Sequence, residues 1–194
     1  MSERRHLELI AELVPYRSHV LDLGCGNGEL LAYLKQHRGC TGYGVEIDDD
    51  NVRGCIARGV NVIQRNLDEG LSIFQDDSFD VVLQLETLQN LRNTEAVLRD
   101  TVRVGREAVV SFPNFAHWPN RLSVLRGRMP VTKTLPYQWY DTPNIRVGTH
   151  DDFRDLATKN GLKVLESFGL HAGQVVRSWP NLMASVAVFK LARA

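Results

Sequence analysis

A chain of 194 residues with 43% hydrophobic and 24% charged residues has the balance of one ordinary globular domain, expected to span 1–194. Its 23 basic residues against 23 acidic ones give zero formal charge, so the totals argue against a nucleic-acid or anionic-membrane partner. The opening "MSERRHLELI" lacks the apolar core of a secretory signal, and no later segment approaches the roughly 18 apolar residues of a membrane span, so a cytoplasmic protein is expected.

In chain order, "RHLELIAELV" (5–14) carries a helical apolar stripe that Pro15 stops. "HVLDLG" (19–24) reads as a first strand, "ELLAYLKQH" (29–37) as a helix and "TGYGVEI" (41–47) as a second strand. "DNVRGCIARG" (50–59) opens on capping residues and closes on Gly59. "NVIQRN" (61–66) and "FDVVLQLE" (79–86) are the third and fourth strands, "NTEAVLRDTVRV" (93–104) is a helix capped by Asn93, and "EAVVSFP" (107–113) is a fifth strand. A capped helix at 149–161 precedes strands at 163–169 and 183–192, which follow each other without a helix and predict an antiparallel hairpin. Alternation of this kind specifies an α/β fold of three layers, a mostly parallel seven-stranded sheet with helices on both faces.

Residues 113–148 break the pattern. They hold five of the seven prolines and two of the three tryptophans with little periodicity, and Phe115, Trp118, Tyr137, Trp139 and Tyr140 argue against disorder. Arg121, Arg126, Arg128, Lys133 and Arg146 against Asp141 give the segment a charge of +4, balanced by −4 elsewhere. Tryptophan, tyrosine and arginine are enriched in interface hot spots. Docking of a protein partner, a cover over an anionic acceptor and a satellite core all fit these residues.

The first strand runs into Asp22-Leu23-Gly24-Cys25-Gly26-Asn27-Gly28, the turn that cradles a ligand in open α/β sheets. Three glycines in one turn exceed what a tight joint needs. A dinucleotide fingerprint would need glycine at 29, where Glu29 would repel a pyrophosphate, and no Gly-Lys-Ser/Thr follows. Asp22 and the loop carbonyls suit instead a cationic ligand with the features of S-adenosylmethionine. Glu46, 24 residues after Asp22, ends the second strand and can take both hydroxyls of a ribose. Ile47 can cover an adenine face, Asn66 can accept from the adenine amino group, and the Leu67 N–H can reach a ring nitrogen. No cysteine spacing points to a metal; Cys25, Cys40 and Cys55 are expected to be reduced.

With these residues in view, the chain resembles the class I S-adenosylmethionine-dependent methyltransferases, with their Rossmann-like fold. "DLGCGNG" matches their first motif, Glu46 their ribose acid and "RNLDEG" their adenine loop, where Asn66 stands in place of the usual Asp. The resemblance implies that Gln84 and Leu85, in "FDVVLQLETLQNL", face the methionine part of the cofactor, S-adenosylmethionine or S-adenosylhomocysteine. No Asn/Asp-Pro-Pro-aromatic or Pro-Cys motif marks an acceptor site. His117, His150 and Glu86 are the candidate bases, each with a surface or capping role as the plainer alternative.

"FPNFAHW", "GRMPVT" and "LPYQWYDTPNIR" are similar to the MetW family of bacterial methionine biosynthesis. That resemblance implies a partner, a MetX-type homoserine O-acyltransferase, and implies no methyl acceptor. Two functions are therefore expected: a cofactor-binding accessory protein docked through 113–148, or a small-molecule O- or N-methyltransferase whose acceptor enters beneath that segment.

Overall fold

The computed structural model describes residues 2–194, with side chains from Arg5 onward. Helix α1 (Ser2–Glu12) leads into strand β1 (His19–Leu23), then α2 (Glu29–Arg38), β2 (Thr41–Glu46), α3 (Asp49–Ala57) and β3 (Val62–Gln64). β4 (Phe79–Leu85), α4 (Thr94–Val104) and β5 (Gly105–Pro113) follow. After α5 (Trp118–Leu125) come α6 (His150–Lys159), β6 (Leu162–His171), β7 (Gln174–Val176), α7 (Pro180–Met183) and β8 (Val186–Arg193). The strands form one sheet in the order β3-β2-β1-β4-β5-β8-β6-β7.

β1 to β5 pair in parallel, whereas β8 enters antiparallel between β5 and β6. The sheet thus has eight strands where the sequence predicts seven, because β7 adds a short edge to β6. The expected C-terminal hairpin becomes an antiparallel β6–β8 pair whose connection contains β7 and the single turn α7.

Side chains alternate across the sheet and build a core on each face. Val20, Val81, Leu83, Val109 and Val188 pack with α1 and α2 through Ile10, Val14, Leu31 and Leu34. On the other face Ala108, Val110 and Phe189 meet α4 and α6 through Leu98, Val102 and Phe153, while Leu21, Leu23 and Val82 meet Val97 and Val104. The central strands are buried on both faces, which explains their unbroken aliphatic runs.

Local chemistry sets the helix ends. Asp48 accepts from the N–H groups of Asp50 and Asn51 at the start of α3, and Thr149 accepts from Asp152 at the start of α6. α4 differs from its sequence reading, because Asn93 makes no side-chain cap. Asp68 instead ties down the chain just before the helix, its Oδ1 accepting from the N–H groups of Arg92 at 2.9 Å and Asn93 at 3.2 Å.

Candidate functional site

At the carboxyl end of β1 the chain turns through Gly24, Gly26 and Gly28 with φ of +76°, +53° and +78°. The N–H groups of Gly24 and Cys25 donate to the Val45 carbonyl at 2.8 and 3.1 Å, holding the loop against β2. Two of the glycines do different work. A Cβ on Gly24 would lie 2.5 Å from Thr87 Oγ1, whereas one on Gly26 would meet nothing within 4 Å. Gly24 is therefore required by packing, and Gly26 presents bare backbone to open space.

Thr87 was not marked by any sequence signal. Its hydroxyl lies 3.0 Å from both the Leu23 and Leu85 carbonyls and so braces the ends of β1 and β4 under the loop.

Two acids meet here. Glu46, 8% exposed, accepts from Gly26 N–H through Oε2 at 2.8 Å and from Ile47 and Asp48 N–H through Oε1 at 2.8 and 3.0 Å. A carboxylate has about four acceptor positions, so these bonds fix its orientation and leave room on Oε2. Asp22 is 3% exposed; burial, reinforced by the Glu46 charge, pushes its carboxyl up to about 7. A site that holds two acids in one buried place is suited to a cationic ligand, which would relieve their repulsion.

Cys25 and Cys55 approach to 3.7 Å between sulfurs beside the loop, and the Cys55 thiol lies 3.2 Å from the Gly26 carbonyl. Burial raises both thiols, Cys25 also through Asp22, which keeps them protonated and unreactive. They are free thiols, as is Cys40.

Ile47 is exposed next to Glu46. Asn66 caps the short 3-10 turn Leu67–Glu69, its Oδ1 accepting from Asp68 N–H at 3.0 Å, and its amide N–H groups have no partner among the described residues. Gln84 and Leu85 alternate on β4, so their side chains leave opposite faces of the sheet. Leu85 joins the α1–α2 side, and Gln84, 0% exposed and paired in register with Val110, lies on the α4 side with neither amide atom hydrogen-bonded.

The candidate bases separate. Glu86, exposed, follows β4 in a left-handed conformation at φ +50°, a strained placement for a side chain of its size. Near it lies His6 on α1, whose imidazole burial holds below its ordinary value against the opposing pull of the Glu86 charge; no sequence motif had singled it out. His117 and His150 are buried elsewhere, around Asn114. The Asn114 amide donates to the Asn181 and Ala184 carbonyls at 2.9 Å, and its Oδ1 accepts from Ala116 at 3.1 Å and His150 N–H at 3.3 Å. His150 opens α6 and packs its ring at a tilt against Phe189, 4.6 Å between centroids, while His117 meets the His171 ring at 4.8 Å. Desolvation lowers both imidazoles, that of His150 against the opposing pull of Asp151, and both sit at the root of the 113–148 segment.

That segment leaves and returns at one point. Asn114 bridges Gly148, and Phe115 N–H donates to the Gly148 carbonyl at 2.9 Å. It is less irregular than its sequence suggests, since α5 occupies 118–125 behind a proline in its first turn. Its returning arm lies over the loop after β4, where the N–H groups of Ile145 and Arg146 both donate to the Gln89 carbonyl at 3.0 Å. Trp118, Leu125, Met129, Trp139 and Tyr140 stay exposed, Trp139 by 71%, so these aromatics are not a satellite core. A cavity of about 530 Å³ lies between this arm, α4 and α6; none of its lining residues belongs to the glycine loop or to Glu46. Among the described residues no helix is long and apolar enough to cross a membrane.

The strand order, the antiparallel β8 and the glycine turn beside an acid ending β2 define the fold of the S-adenosylmethionine-dependent methyltransferases. A methyltransferase of that type from Thermotoga maritima superposes with a TM-score of 0.71 at 20% identity, covering 98% of this chain and 88% of its own. Magnesium protoporphyrin IX methyltransferase from Synechocystis, solved with bound S-adenosylhomocysteine, gives 0.69 at 16% identity, covering 100% and 84%. The chain belongs to the MetW family: the model described as methionine biosynthesis protein MetW matches residues 4–191. The bifunctional methionine biosynthesis protein MetXA/MetW of Rhodopirellula baltica is 38% identical over 96% of this chain, which spans 32% of that relative's length.

Proposed function

We propose that this member of a methionine-biosynthesis family binds S-adenosylmethionine or S-adenosylhomocysteine at the glycine loop and modulates a MetX-type homoserine O-acyltransferase docked on the 113–148 segment. The observation that carries the partnership is the Rhodopirellula baltica relative, in which a MetXA part and a MetW part share one chain. Parts fused in one relative are held at high effective concentration there, and separate chains need a surface that replaces the linker. The exposed aromatic and basic residues of 113–148 supply such a surface.

The site's own chemistry supports the cofactor. Open backbone at Gly26 admits the close approach of a ligand, and the Oε2 of Glu46 retains acceptor capacity for a ribose hydroxyl. Asp22 supplies negative charge beneath a sulfonium or ammonium, Ile47 an apolar face for adenine, and Asn66 and the Leu67 backbone its polar edge. Gly24, Cys25 and Gly28 shape the turn. Bound cofactor in its sulfonium form carries a transferable methyl; the thioether form does not.

The two sites have a physical connection. Thr87 ties the glycine loop to the end of β4, and two residues later the Gln89 carbonyl holds Ile145 and Arg146 of the docking segment. A ligand that shifts the loop end of β4 therefore biases the segment, and the partner must in turn bias cofactor affinity by the same factor. The test is acyltransferase activity with and without this protein across concentrations of both cofactor forms. Activity should change with the protein present and respond to cofactor; rates unchanged in every condition would overturn the reading.

A further inference from the structure

The cavity between α4, α6 and the returning arm of 113–148 shares no residue with the glycine loop or Glu46 and is given no ligand by the function proposed above, although Gln89 and Arg146 in its wall belong to the link between the two sites. Its volume of about 530 Å³ falls in the range of small-molecule sites. Leu88, Phe112, Phe115, Phe153 and Leu156 give it apolar walls, with Leu135 above them.

Its charges are unevenly matched. Glu95 is engaged by Arg99 at 3.9 Å and by Lys159 at 3.6 Å, and the carboxylate of Asp152 accepts the Thr149 hydroxyl at 2.7 Å. Arg92 and Arg146, also in the lining, have no carboxylate partner among the described residues. Both are exposed, and among the described residues the Arg146 guanidinium donates to the Ile145 carbonyl at 3.3 Å and the Arg92 carbonyl at 3.0 Å, which leaves it without a charged partner. A further group in the wall is unsatisfied. Gln89 donates through Nε2 to the Glu86 carbonyl at 2.6 Å, but its Oε1 is buried with no donor.

We infer that this cavity is a second ligand site, for a small organic carboxylate with an apolar body and an N–H or O–H donor between the two. The aromatic walls take the body, the guanidinium groups of Arg92 and Arg146 take the carboxylate, and Gln89 Oε1 takes the donor. Arginine forks suit a carboxylate because two N–H bonds can run in parallel to its two oxygens. The site stands whether or not the glycine loop binds a nucleoside, since the two share no residue.

Calorimetry on the full chain with N-hexanoylglycine tests this, using its methyl ester as the neutral analogue and hexylammonium as the cationic one. The acid should bind at least about tenfold more tightly than the ester, and hexylammonium should give no heat. Replacing both guanidinium groups, R92Q/R146Q, should bring acid and ester to equal affinity. Filling the cavity from the exposed face of α4 with Ala96→Phe should weaken both. R92Q/R146Q should remain folded, with a melting temperature close to that of the parent protein. Equal binding of acid and ester to the parent protein, acid binding that R92Q/R146Q leaves unchanged, or no heat with the acid into the tens of millimolar would each overturn the inference. The exposed arginine variant keeps the test decisive if Ala96→Phe proves unstable.

Discussion

The backbone N–H of Gly26 donates to Glu46 Oε2 at 2.8 Å, joining the summit of the glycine loop to the end of β2. One carboxylate thus orders the loop and presents its remaining acceptor capacity to a ligand. Glu46→Gln keeps the shape but replaces an acceptor-only group with one whose NH2 faces backbone N–H donors. S-adenosylhomocysteine affinity should fall tenfold or more by calorimetry, and the melting temperature should drop because charge-assisted bonds contribute about 1.5–3 kcal/mol each. Parent affinity in this variant would remove Glu46 from the site.

Gly24 and Gly26 should respond to an added side chain in different ways, Gly24 in stability and Gly26 in ligand binding. Gly24→Ala drives Cβ into Thr87 at 2.5 Å at a φ of +76°, so it should destabilise the fold by about 2 kcal/mol or more. Gly26→Ala adds only the left-handed strain, about 1–2 kcal/mol, and Gly26→Val should leave a folded protein whose cofactor binding is blocked. Denaturant melts paired with calorimetry separate the two. The brace is checked by a cycle with Thr87→Ala, which should recover part of the Gly24→Ala loss.

Asp22 makes stability depend on pH with a definite sign. Its carboxyl titrates near 7 in the folded protein, against about 4 in the unfolded chain, so between those values the folded state holds the extra proton. Its contribution is complete below the unfolded value and is lost as pH rises to about 7, at up to about 1.4 kcal/mol per pH unit. Asp22→Asn, neutral and nearly isosteric, should gain on the parent protein in chemical denaturation as pH goes from 5 to 7.5. A constant difference across that range would contradict the assignment.

Arg128→Glu and Trp139→Ala change exposed positions and should alter stability by no more than about 0.5 kcal/mol. S-adenosylhomocysteine affinity should hold. Co-purification of a MetX-type acyltransferase should be lost in both variants; retention in both would locate docking elsewhere.

Much of the fold was legible because its signals are local. Aliphatic runs separated by amphipathic helices specify a parallel sheet covered on both faces, and an acid, three glycines and a second acid 24 residues on mark one end of it. Thr149 and Gly59 punctuate helices through bonds spanning a few residues, so their roles are readable in place, whereas α3 is capped by Asp48, two residues before the Asp50 and Asn51 that its sequence offered. Asn93 differs because its side chain makes no cap, while Asp68, 25 residues earlier, fixes the backbone entering α4 by accepting from the N–H groups of Arg92 and Asn93.

Sequence by itself determined the strand alternation, the glycine turn and the acid that faces it, since each depends on neighbours in the chain or on the period of the backbone. Tertiary structure alone decided that β8 enters between β5 and β6, that Thr87 braces Gly24, and that His117 and His150 are buried around Asn114 rather than gathered at the loop. It also decided that Arg92 and Arg146 border one apolar cavity. These are relationships between residues tens of positions apart, set by which surfaces exclude water together, and such packing leaves no periodic trace in the order of the residues.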